Sequence, residues 1–81
     1  MTAYMNFKEA TDLLFAGAKH AELSKELGVS VALIRQARLR PNAKAYRRPP
    51  HGWQIAVIKV SETQVLKYMN LIDNLSNSPD E

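Results

Sequence analysis

The chain contains no cysteine, which excludes disulfides and thiolate zinc sites as supplements to its core. Glycine occurs only three times and proline four, and there is neither an internal repeat nor a low-complexity tract. No segment approaches the roughly 18 uninterrupted apolar residues of a membrane span. Residues 1–7 lack the basic start and apolar run of a secretory signal, so the expectation is a cytoplasmic protein. Nothing has the spacing of a nucleophile elbow, a P-loop or a paired-carboxylate site. His20 and His51 lie far apart with no carboxylates at ligand spacing; they read as surface histidines, and no metal, no cofactor and no enzymatic activity are expected. A further absence concerns charge: residues 27–61 contain no acid.

What is present begins with size. Eighty-one residues make one small domain, which buries only about 60% of the surface its unfolded chain exposes. Apolar residues are 46% of the chain, an ordinary globular value that argues against disorder throughout. The acid-free stretch holds seven cations, Arg35, Arg38, Arg40, Lys44, Arg47, Arg48 and Lys59, while the rest of the chain has four basic and eight acidic residues. A net charge of +3 therefore hides a basic middle between acidic ends. The basic residues begin inside a predicted helix and run on into the loop after it, the pattern of a surface that faces a polyanion.

Periodicity and punctuation predict an all-α bundle of about five short helices. Asn6 and Glu9 have capping-box spacing, Phe7, Ala10, Leu13 and Leu14 form one apolar stripe, and Gly17 offers a stop, so the first helix spans about 7–16. The second covers 19–27, with Ala21, Leu23, Ser24 and Leu27 inward, Lys19, Glu22, Lys25 and Glu26 outward, and Gly28 as its stop. Ser30 caps a third helix over 31–39, with Leu33, Ile34 and Ala37 inward, ended by Pro41. Residues 41–50 are loop, and Pro50 suits the first turn of the next helix. Trp53, Ala56, Val57 and Val60 recur at helical spacing, and Trp53 reads as core. Residues 55–60 are β-branched enough for a strand, but the basic loop offers no pairing partner, so helix is preferred. Ser61 and Gln64 repeat the capping-box spacing; one helix over 51–75 and a separate fifth helix from about 62 both remain open. Residues 1–76 form the domain, and 77–81 an acidic, frayed tail.

Residues 20–40, HAELSKELGVSVALIRQARLR, carry the functional signal. Two helices crossing at a wide angle need a small residue at their contact, supplied by Ser24. A sharp turn four residues later needs Gly28, which tolerates positive φ. Leu23, Leu27, Val29 and Ile34 are the apolar positions that lock the pair. This stretch resembles the helix-turn-helix of phage and bacterial repressors, departing from it at His20, where Gln or Thr is usual, and at Ser24, where Ala is. With the basic loop and the Trp-bearing helix that follow, the chain resembles the λ-repressor-like (Cro/C1, XRE) class. Tyr46, Arg47, Arg48, Pro49 and Pro50 carry a looser resemblance to small prophage anti-CRISPR-associated autorepressors.

The resemblance implies double-stranded DNA as partner and a recognition helix lying N-terminal end first in the major groove. Its outward positions are Ser30, Val31, Ala32, Arg35, Gln36 and Leu39, with Arg38 at the flank. Arg35 suits guanine O6/N7, Gln36 suits adenine N6/N7, and Val31 and Ala32 suit thymine methyls. Lys19, Arg38, Arg40, Lys44, Arg47 and Arg48 are the expected phosphate contacts, which position without reading sequence. Tyr46 either reaches a phosphate or packs under the loop. Val65, Tyr68, Met69, Ile72 and Leu75, with Leu66 and Leu71, exceed what one small core uses, so residues 62–75 are the expected homodimer interface. The function implied is a phage or mobile-element type repressor on a palindromic operator, nucleoid-associated; the alternative is a protein-interaction adaptor or antitoxin-like module working through the C-terminal helix.

Overall fold

The computed structural model describes residues 4–77, so the expected acidic tail falls almost wholly outside the described residues. Four helices follow one another: α1, Phe7–Leu14; α2, His20–Leu27; α3, Val31–Ala37; and α4, Trp53–Ser76. Among the described residues there is no strand, and no helix is long and apolar enough to cross a membrane. The expected fifth helix does not exist, because α4 runs unbroken through Ser61 and Gln64. With a continuous helix on both sides, the Ser61 and Gln64 side chains have no free amides to cap.

The local signals explain most helix ends. Glu9 N–H donates to Asn6 Oδ1 at 2.8 Å and Asn6 N–H to Glu9 Oε1 at 3.0 Å, a reciprocal cap that starts α1. Leu33 N–H donates to Ser30 Oγ at 3.0 Å and starts α3. Three ends differ from expectation. α1 stops at Leu14 with Phe15 as its cap, and Gly17 does not adopt positive φ. α3 stops at Ala37, two residues early, with Arg38 as its cap. Pro50 lies outside α4; Gly52, at φ 81°, is the N-cap, and Trp53 N–H donates back to the Pro50 carbonyl at 3.2 Å.

α4 is the spine, packed against α1 and α2, while α3 packs on α2. The core comprises Phe7, Leu14, Ala18, Leu23, Ile34, Ala37, Ala56 and Val60, flanked by Phe15, Leu27, Val29, Trp53 and Val57. The Trp53 ring meets Phe7 edge-on at 5.3 Å. Two inward assignments fail. Leu13 is 67% exposed, and the buried position on α1 is Thr11, at 0%. Thr11 can sit there because its hydroxyl donates to the Phe7 carbonyl at 2.7 Å, satisfying the polar group within its own helix. The buried stripe is therefore Phe7, Thr11, Leu14 and Ala18, spaced four, three and four. Ala21 of α2 is exposed as well.

Candidate nucleic-acid interface

The connection between α2 and α3 is built by three residues. Gly28 ends α2 at φ 70°, ψ 29°, the left-handed conformation that a non-glycine residue adopts only at a cost. Gly28 and Val29 N–H both donate to the Ser24 carbonyl, at 2.9 and 3.2 Å, satisfying the end of the helix. The Ser24 hydroxyl in turn donates to the Val29 carbonyl. Ser24 thus does more than fill a small site: its hydroxyl ties the turn, a bond alanine lacks. Leu23 and Ile34, both fully buried, bring the two helices together.

This packing turns one side of α3 outward. Ala32 and Arg35 are exposed and Gln36 is half-buried; three and four residues from Ala32, Arg35 and Gln36 share a face with it, and Leu39, just past the helix end, is exposed as well. Ser30 is exposed but its Oγ is engaged as the cap of α3, and Val31 is half-buried. The loop beyond α3 is tied back to it. Arg47 N–H donates to the Gln36 carbonyl at 3.4 Å, and two turns, Ala43 N–H to Arg40 C=O at 2.9 Å and Tyr46 N–H to Ala43 C=O at 3.1 Å, compact the chain between. Arg40, Lys44, Arg47 and Arg48 are all exposed on this loop, and Lys19 is exposed at the N-cap of α2. Tyr46 is half-buried and borders a small hollow with Phe7, Ala37, Leu39 and Pro49, so of the two alternatives for it, packing under the loop fits its position.

Arg38 departs from its expected role. Its guanidinium forms an ion pair with Asp12 of α1, lies 5.2 Å from the centre of the Phe15 ring, and is only 22% exposed. The cation is spent on holding the end of α3 against α1. Asp12 also accepts from Lys8 Nζ at 2.8 Å. The Lys8 hydrogen bond first, and then Arg38, hold the Asp12 carboxyl below its ordinary range against a partly opposing desolvation. His20 is not a free surface histidine either. It stacks on Phe15 with ring centres 3.8 Å apart and 19° between planes. Desolvation, then the charges of Arg38 and Arg35, push its pKa below the ordinary value, so the neutral ring is favoured.

On the far side of α2, Glu22 was expected to face water. Instead Gln64 of α4, buried, donates from Nε2 to Glu22 Oε2 at 2.9 Å, while Glu22 Oε1 accepts from Lys19 N–H at 3.3 Å. One carboxylate therefore serves both the start of α2 and its attachment to α4. The available signal for Gln64 was its position, four residues after Val60 on the core stripe; its polarity concealed it. Val65, Tyr68, Met69, Ile72 and Leu75 remain half or more exposed. No protein-family model, no curated protein and no solved structure matches the chain.

Proposed function

We propose that this chain is a sequence-specific double-stranded DNA-binding regulator of the repressor type, acting as a dimer on a palindromic operator, with α2 and α3 as its helix-turn-helix. The observation that carries the reading is that, within the acid-free stretch 27–61, exposed Arg35 of α3 is followed by a loop, hydrogen-bonded back to that helix, that presents Arg40, Lys44, Arg47 and Arg48. Arg35 and Gln36 read base edges, with Ala32 and Val31 against thymine methyls. The loop cations and Lys19 bind phosphates; Arg38, engaged with Asp12, positions the helix instead. Five phosphate contacts correspond to a slope of log K against log salt of about −4 to −5. No catalytic role is assigned.

Selection of bound sequences from random DNA tests this. The expected product is a palindrome whose half-sites are centred about one helical turn apart. Arg35→Ala with Gln36→Ala is expected to lower specific affinity by roughly 10- to 100-fold for each bidentate base interaction removed, with the fold retained because Arg35 is exposed and Gln36 only half-buried. Unchanged operator affinity overturns the reading. The exposed apolar side of α4 favours, as a second reading, a protein-interaction module; it requires that Ile72→Asp abolish partner binding while the Arg35 and Gln36 substitutions leave function intact.

A further inference from the structure

The core-facing stripe of α4, Ala56, Val60 and Gln64, does not stop where its packing partners stop. Tyr68, Leu71 and Leu75 continue it at spacings of four, three and four, yet each is at least half exposed. Val65, Met69 and Ile72 form a second exposed row beside it. Just before this part of α4, between residues 57–68 of the helix and α1, lies an open apolar groove of about 460 Å³, bordered by Met5, Leu13, Val57, Val65 and Tyr68. Leu13, whose side chain the core does not use, forms one bank of it.

We propose that this groove is the seat for the end of α4 from a second copy of the chain, so that the dimer contact is made by α1 and α4 together and not by α4 alone. The inference rests on the dimeric part of the functional reading above. Three observations select a second copy. First, the apolar area suffices: seven side chains (Leu13, Val65, Tyr68, Met69, Leu71, Ile72 and Leu75) are half or more exposed. At roughly 100 Å² each, they amount to about 1,400 Å² across a two-fold pair, within the range of a stable interface. Second, residues 65–76 carry one cation, Lys67, and one anion, Asp73, so two copies of this face meet without net repulsion and a strongly charged partner gains nothing there. Third, the face is self-complementary. An antiparallel crossing of two α4 helices between Tyr68 and Met69 sets Ile72 of the second copy beside Val65, at the mouth of the groove that Leu13 borders. Symmetry repeats the same contact on the other copy, as a two-fold interface requires.

Sedimentation equilibrium on the full chain without DNA tests the proposal. The wild type is expected at twice 9.1 kDa, and Leu13→Asp and Ile72→Asp each at the single-copy mass. Ile55→Asp, on an exposed position of α4 before the groove, is expected to stay dimeric. Helical circular dichroism should be retained throughout, because all three side chains are exposed. A separate measurement does not depend on how these variants fold. Chains carrying Leu13→Cys and Ile72→Cys, introduced one each into this cysteine-free protein and mixed, are expected on mild oxidation to give a disulfide joining the peptide of residue 13 to that of residue 72. A dimer that persists in Leu13→Asp and yields no such peptide pair means that α4 pairs alone, and overturns the proposal; so does a monomeric wild type. A monomeric wild type also removes the dimeric part of the functional reading, whereas α4 pairing alone leaves it standing; DNA binding itself is judged separately, by the affinity of the Arg35 and Gln36 variants.

Discussion

Substituting Gly28 by alanine separates backbone strain from crowding at the turn between α2 and α3. A Cβ added there meets nothing within 4 Å, so no clash contributes. What remains is the left-handed conformation at φ 70°, which costs an L-residue with a Cβ about 1–2 kcal/mol. Part of that is offset by the smaller freedom of alanine in the unfolded chain, leaving a net loss of about 1 kcal/mol. For a domain of this size the midpoint of thermal unfolding should fall by about 4–8 °C. Asparagine, whose side chain tolerates this conformation better, should recover part of the loss. Gly17 provides the opposite case. It does not have positive φ, and its added Cβ would lie 3.3 Å from the Tyr68 hydroxyl, the tip of a half-exposed ring able to yield a few tenths of an ångström. Gly17→Ala should therefore stabilise by about 0.4–1 kcal/mol. Thermal and urea unfolding followed by circular dichroism measures all three variants. The reasoning is refuted if Gly28→Ala melts with the wild type, if asparagine costs as much as alanine, or if Gly17→Ala is the more damaging alanine.

Gln64 and His20 support further predictions. Gln64→Glu sets a second carboxylate against Glu22 in a buried position and should destabilise at neutral pH by about 1–3 kcal/mol, with recovery as pH falls through the carboxylate range; urea titrations at two pH values read this. Gln64→Leu removes both the bond to Glu22 and the buried Oε1, which has no hydrogen-bond partner, and should stay within about 1 kcal/mol of wild type. Because the folded-state pKa of His20 is depressed, the unfolded chain takes up this proton first. Its contribution is complete above about pH 6.5 and is lost as pH falls below that value toward the folded pKa. Asp12, also depressed, adds a second loss at more acid pH, as pH falls through its own lowered range. Unfolding midpoints measured across pH should thus decline in two stages, and His20→Phe should abolish the upper one alone; an unaltered upper stage contradicts the assignment.

Local sequence alone determined where α1 and α3 begin and where α2 turns, because caps and turns act over three to five residues. Asn6 with Glu9, Ser30 at the head of α3 and Gly28 at the end of α2 were all legible, and each makes the bond or adopts the dihedral expected of it. The acid-free basic stretch was equally legible as composition, and with it the candidate surface along Arg35 and the following loop. Hydrophobicity misplaced one α1 position, since it ranks Leu13 above Thr11; a hydroxyl that bonds its own helix needs no water, and the buried stripe of α1 passes through Thr11. The continuity of α4 was open for a similar reason, because Ser61 and Gln64 suit a helix interior as well as a cap. Only the tertiary structure decided the fate of individual charges and polar groups. Arg38 meets Asp12 across 26 residues and Gln64 meets Glu22 across 42. Such separations leave no periodic trace in sequence, because it is the packing of α3 against α2, and of α4 against α1 and α2, that sets those atoms within reach of one another.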